Sequence, residues 1–455
     1  MFLPVKTRIA EPANLSDKTT APHIFRVILL TALLAAVALA VIMATTSAFD
    51  SHPDERVHFE AVEYYSGDNW LPPAIGDPET LDSYSAFGKS RLNLPDFYYL
   101  AAGKFTALLT PLTGNILLSA RLFNILLLLI LVLMALRTPG DQWLIYAVLL
   151  LTPQIWYTFS YVNSDAFAIF LTFLISAQLV NDKSRLMQYF NSPTGVHQFY
   201  KSLPTILSVT LLYFAKENFR LYFLFLIIWG LWFLYIRSDR RQILVKTMVM
   251  IFLFAALVSA KYALDYSIHG PNRGENLREI QELTAEPEFR PSVRDIDAGH
   301  PDLNLKRRGV DALALFREPY NWHLGTFFTF AGAYGHMEFF GSANYYRLML
   351  ILYIVLTLFL IYRLWPAGWE ARYFLIALIL LSAYILYLAF YFSWESAFQP
   401  QGRYLFPVLG IIAYLFGRFS RVISKSISLY ILLSSAALLS VYSFIFYGLI
   451  YIPRA

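Results

Sequence analysis

The sequence predicts an all-α, polytopic membrane protein, and three observations carry that prediction. Hydrophobic residues make up 57% of the 455 and charged residues only 15%, where a soluble domain carries about a quarter charged. Apolar runs of bilayer-spanning length recur along the whole chain. Lys and Arg gather in alternate short connections between those runs.

The runs are taken in order. Residues 24–49 follow Lys6, Arg8 and Lys18 and exceed the ~7–15 residues of a signal-peptide core, so they read as an uncleaved first span. Further spans are expected at 116–136, 143–161, 166–180, 203–215, 221–236, 243–263, 346–362, 373–392, 404–417 and 427–450, about eleven in all. Residues 98–112 are apolar but short and carry Lys104, which suggests an interfacial or re-entrant segment.

With a cytoplasmic amino terminus, the inner connections hold Arg137; Lys183, Arg185 and Lys201; Arg237, Arg240 and Arg241; Arg363 and Arg372; and Arg418, Arg421 and Lys425. The outer turn 161–165 holds neither Lys nor Arg. That positive-inside bias places two long segments outside, 50–95 and 265–344. The second contains helix-like runs at 275–286 and 305–318, separated by Pro287, Pro291 and Gly299. A single membrane domain over 1–455 with two outer elaborations follows.

Several function classes are excluded. A net charge of +5 without a basic run in a soluble fold gives no nucleic-acid footprint. No cysteine is present, so disulfides and thiolate chemistry are absent. Neither a His-Glu-x-x-His zinc pattern nor a phosphate-cradling Gly-rich loop with Lys occurs.

Ionisable residues in spans are expensive and default to function. Here Arg121, Asp165, Lys216, Glu217, Arg220, Lys261, Asp265, Arg347, Glu395 and Arg403 all fall at or near outer span ends. Snorkelling accounts for Arg121, Lys261 and Arg347 taken singly. The one-sided pattern as a whole suggests a polar cavity opening outward.

The first constellation is Asp50-Ser51-His52-Pro53-Asp54-Glu55-Arg56-Val57-His58. Adjacent carboxylates with histidines offer a general base, a proton shuttle and oxygen ligands for a divalent cation. The bland reading, equally open, is a solvated turn in which Asp54 caps a helix.

A cytoplasmic amino-terminal span followed by a long outer loop that opens on an acidic pair resembles the GT-C class of glycosyltransferases. The resemblance implies a polytopic enzyme that uses polyprenyl-phosphate-linked sugars, with Asp54 as catalytic base, Glu55 as its neighbour and His58 nearby. Gln401-Gly402-Arg403-Tyr404 at the start of a late span is similar to a run in an uncharacterised bacterial family of GT-C-like membrane proteins. Gly402 would permit close approach, and the planar fork of Arg403 suits phosphate oxygens.

Three further features accompany these. Asn163-Ser164-Asp165 resembles an Asn-x-Asp of that family, although an ordinary helix cap explains it. Lys216-Glu217-Asn218 either supplies a cation to a phosphate or forms a turn with a local ion pair. The aromatic, glycine-rich segment 326–341, which contains His336 and Glu338, suits the wall of a sugar pocket or a membrane-dipping loop. Together the resemblance implies inverting transfer of a sugar to a glycan, lipid or protein acceptor at the outer face of a bacterial cytoplasmic membrane. No cofactor is required beyond an undecided divalent cation. A transporter or flippase, or a polymerase or ligase, of lipid-linked saccharides is the alternative; the charge-poor midplane speaks against an ion-coupled path.

Overall fold

A computed structural model describes residues 23–193, 197–296 and 304–455; the expected inner charges Lys6, Arg8 and Lys18, and Gly299, lie outside them. Of the described residues, 76% are helical and 2% are in strands. The longer helices are numbered here: α1 His23–Thr46, α2 Glu55–Ser66, α3 Phe97–Thr113, α4 Ile116–Arg137, α5 Asp165–Val180, α6 Leu203–Ala215, α7 Tyr222–Ile236, α8 Arg240–His269, α9 Arg273–Thr284, α10 Trp322–Ala331, α11 Ala343–Leu364, α12 Trp369–Glu395, α13 Pro407–Arg418 and α14 Ile427–Ser443. A hairpin of two short strands, β1 Ala333–Tyr334 and β2 Phe339–Phe340, joins α10 to α11.

Among the described residues, eight helical segments are long and apolar enough to cross a membrane: His23–Thr46, Ile116–Arg137, Asp165–Asn191, Glu217–Ile236, Arg240–His269, Ala343–Ala367, Trp369–Glu395 and Ile427–Leu449. These match eight of the expected spans. The other three differ for physical reasons. Residues 143–161 do not form one helix: Thr152 caps a new short helix, Pro153–Phe159, by accepting from the Gln154 amide at 3.2 Å. Proline lacks the amide donor and cannot continue the preceding turn. Trp143, Tyr146, Trp156 and Tyr157 in this stretch are fully buried. Irregular backbone at membrane depth is tolerated where protein surrounds it. Helix α6 has 13 residues and α13 has 12; a 3-10 turn, Gly402–Leu405, precedes α13.

The bundle has two chemically distinct ends. At one, Arg26 donates to the Thr138 carbonyl (3.0 Å), Arg418 pairs with Glu370 (2.7 Å), Ser424 bonds Asp141 (2.6 Å) and Arg363 donates to the Val422 carbonyl (2.6 Å). The expected inner connections meet here. A shallow cavity of about 510 Å³ lined by Ser238, Arg240, Arg241 and Val245 lies in one of these connections.

The opposite end carries both long segments. Helices α2 and α3 cross so closely that a Cβ on Gly103 would lie 2.5 Å from Tyr65 Cβ. Helix α3 covers the apolar run 98–112 and leaves Leu108 and Leu112 at its end 79% and 82% exposed. Helix α9 realises the expected run at 275–286. The expected helix at 305–318 is absent: Gly309 takes a left-handed φ of +72° and a single 3-10 turn, Ala312–Phe316, follows. Leu305 and Leu315 are instead buried with Trp322 and Ala389 in a small second core. Their apolar character served that core and not a helix face.

A candidate site of cations and carboxylates

Helix α1 ends at Thr46, and the chain turns through two left-handed residues, Asp50 (φ 59°) and Asp54 (φ 58°), into α2. Such a conformation costs a non-glycine residue about 1–2 kcal/mol. Buried contacts hold it. Glu55 is fully buried and receives Arg121 Nε and Nη2 at 2.8 Å each, a bidentate pair, together with the Asp50 amide at 3.2 Å. Arg121 also donates to the carbonyls of Ala44, Ser47 and Ala48, closing the end of α1. His52 is fully buried between Ser47 Oγ (2.8 Å) and Tyr157 Oη (2.9 Å).

These fixed points turn Asp54 outward. It occupies the capping position of α2 but makes no side-chain cap bond. Its carboxylate faces Arg403 Nη2 at 3.2 Å and Arg91 Nη2 at 3.9 Å. Arg403 reaches on to Asp165 Oδ2 (3.8 Å), and Lys216 Nζ approaches the same oxygen at 3.5 Å. Five charged side chains from separate segments thus converge, three cationic and two anionic. The Asp54 side chain is 45% exposed and that of Asp165 is 3%, so the cluster runs from solvent into the protein.

The placement of Arg403 follows from its neighbours. The Gly402 amide donates to Thr329 Oγ1 at 2.7 Å, and a Cβ on Gly402 would collide with the backbone of Phe330 in α10. Gln401 Oε1 accepts from Arg403 Nε, and the Tyr404 ring centroid lies 6.0 Å from the guanidinium. Gln401 and Tyr404 therefore orient Arg403.

Charge and burial set the protonation states. Burial would push the Asp54 carboxyl up, but Arg403, Arg91 and Lys216 outweigh it and hold it below the usual range. Burial and then the same three cations hold His58 well below its ordinary value. His58 Nδ1 lies 2.7 Å from Tyr99 Oη, while its buried Nε2 has no hydrogen-bond partner. Burial lowers Lys216, opposed by Asp165. Asp96, capping α3 through the Tyr98 amide (2.9 Å), is pushed by burial up to about 7.

The remaining expected residues fall elsewhere. Glu55 lies next to Asp54 in sequence, but both its oxygens are committed to Arg121, so it is a strut and not a free acid. Arg121, expected to snorkel, is 2% exposed and holds that strut. A shared cation on Asp54 and Glu55 would have to break the pair, and no grouping of three or more His, Asp or Glu suited to a metal occurs among the described residues. Asn163 is fully buried and spends its amide on capping: Nδ2 donates to Thr158 (2.6 Å) and Oδ1 accepts from the Ala166 amide (3.1 Å). Glu217 points to solvent, 87% exposed, paired with Arg220 at 3.4 Å. His336 donates to the Asp50 carbonyl at 2.8 Å, tying the β-hairpin to the first loop, and Glu338 is exposed beside it. The sequence reading missed Arg91, Asp96 and Tyr99, none of which belongs to a recognisable spacing.

A search of curated proteins finds no match. The family described as "Predicted membrane protein (DUF2142)" matches residues 76–412. That stretch includes Arg91, Asp165, Lys216 and Arg403 and begins after Asp54. Since it spans most of the sequence, the chain belongs to the DUF2142 family of predicted membrane proteins.

Proposed function

We propose that the protein is a GT-C-like glycosyltransferase that moves a hexosyl or pentosyl group from a polyprenyl-phosphate carrier to a glycan, lipid or protein acceptor, with inversion. On this reading it works at the extracytoplasmic face of a bacterial cytoplasmic membrane. The observation that carries the reading is Arg403 suspended between Asp54 and Asp165, beside Arg91 and Lys216. In the five-residue cluster three cations face two carboxylates, and the surplus positive charge matches one phosphodiester.

In the transfer, an acceptor hydroxyl oxygen bonds to the anomeric carbon as the bond from that carbon to the phosphate oxygen breaks. The bonding pair leaves with the phosphate, and Asp54 takes the hydroxyl proton. The phosphate gains one negative charge while Asp54 loses one, so the surrounding charge stays balanced throughout. Cations held in place before the reaction contribute a few kcal/mol to such a step. Inversion follows from a single displacement.

Two measurements test the reading. Native mass spectrometry of the purified protein should find polyprenyl phosphate or its glycosylated form bound, and Arg403→Ala should retain less of it. Asp54→Asn should slow transfer by about 10²–10⁴-fold. Turnover of that variant at the wild-type rate under saturating donor and acceptor would remove Asp54 as the base.

A further inference from the structure

We infer that the Asp54 carboxylate stands in the place of the donor phosphate, and that phosphate binding takes Arg403 from it, so the base is released only once the donor has bound. The inference rests on the donor reading above and adds an order of events to it. Three observations lead to it. Asp54 forgoes the capping bond its position offers and spends its charge on Arg403 at 3.2 Å and Arg91 at 3.9 Å. With no side-chain bond to its own helix, the carboxylate is held by the cations it faces. Next, Arg403 is incompletely satisfied: its buried Nη1 makes no hydrogen bond, and Asp165 lies 3.8 Å away. Last, His58, one turn along α2 and fully buried, leaves Nε2 without a partner. A site with two unused buried nitrogen positions and an exposed carboxylate on its arginine suits a larger anion better than the carboxylate it now holds.

A phosphodiester offers two free oxygens, and a guanidinium binds such a pair through a planar fork. Asp54 meets Arg403 through one oxygen within hydrogen-bond distance. Exchange therefore replaces a single contact by a bidentate one. Asp54 loses its nearest cation, and its carboxylate becomes the stronger base beside the anomeric carbon. A hydroxyl acceptor that enters first meets a carboxylate tied to Arg403.

The test is a binding measurement with a polyprenyl phosphate in nanodiscs, alongside inorganic phosphate in solution and the uncharged polyprenol as controls. Asp54→Asn removes the competing charge and keeps the side-chain shape. It should bind polyprenyl phosphate about tenfold more tightly than the wild type, on the scale of one charge-assisted hydrogen bond. Asp54→Ala should show the same gain, which guards against a local defect in either variant. In an Arg403→Ala background most of the gain should vanish. Equal or weaker binding by both Asp54 variants, with the wild type binding normally, overturns the exchange and leaves the donor reading intact. A gain undiminished by Arg403→Ala also overturns it, because the effect would then be general charge removal. If no variant binds polyprenyl phosphate above the polyprenol control, the donor reading falls and the exchange with it. Tight binding of inorganic phosphate but not of the lipid would likewise end both.

Discussion

At the scale of single residues, the site depends on carboxylates given different tasks by their surroundings. Asp54 and Glu55 are adjacent, yet one faces a solvent-reaching cluster and the other is buried with Arg121. Breaking a buried pair by neutralising one partner costs about 3–5 kcal/mol, because the other charge is left uncompensated. Glu55→Gln should therefore lower the unfolding midpoint markedly in detergent, whereas Asp54→Asn should change it little. Equal midpoints for Glu55→Gln and wild type would contradict the strut assignment. Asp96 gives a prediction in pH. Its folded value is raised to about 7 by burial, against about 3.9 for the free carboxyl. The protonated form is favoured by the fold, so its contribution is complete below the free value and is lost as pH rises towards 7. Asp96→Asn keeps an oxygen to cap the Tyr98 amide. The stability difference between variant and wild type should move in favour of the variant from pH 5 to pH 8; a constant difference would mean that Asp96 is charged throughout.

At the scale of elements, the close approach of the turn before α13 to α10 decides where Arg403 points. A methyl group on Gly402 meets backbone atoms of Phe330, which cannot rotate away. Overpacking of this kind costs about 1–3 kcal/mol. Gly402→Ala should reduce stability and also weaken any ligand bound through Arg403, with a larger effect on binding than Gly410→Ala, which lies further along α13 where a Cβ would meet the side chains of Tyr222 and Thr172. The sequence made this contact partly legible, because Gly beside Arg at a span end already suggested close approach. It also made the apolar helices legible, since length and composition suffice for that. The broken stretch around Thr152 and Pro153 was not legible as such, because an apolar run reads alike whether it faces lipid or protein. Arg91 was hidden for another reason: it sits on a 3-10 turn in a long loop, and only the fold brings it to Asp54. His58 and Asp54 were singled out by a shared local run, and Arg403 by the resemblance of the Gln401-Gly402-Arg403-Tyr404 run. Asn163 and Glu217 could not be separated from a helix cap and a local ion pair in the sequence, because capping and surface pairing use the same residue types as binding.

At the scale of the whole molecule, the charge cluster and the Arg-rich connections occupy opposite ends of the bundle, so orientation becomes a single question. From the positive-inside bias we predict the connections in the cytoplasm and the cluster outside. The chain contains no cysteine, so single cysteines can be introduced without removing others. Glu217→Cys places a thiol on a side chain that is 87% exposed at the cluster end. Lys425→Cys places one on an exposed residue of the opposite end. Neither residue touches the five-residue cluster, so both variants should fold and localise as the wild type does. A membrane-impermeant maleimide added to intact cells should label Glu217→Cys and spare Lys425→Cys until the membrane is opened. A reporter fused after Arg308 should agree, being active only outside the cytoplasm. Labelling of Lys425→Cys in intact cells, with Glu217→Cys protected, would invert the molecule and place Asp54 and Arg403 against the cytoplasmic leaflet. A nucleotide-linked donor would then have access to the site, and the case for a lipid-carried sugar would lose its topological ground.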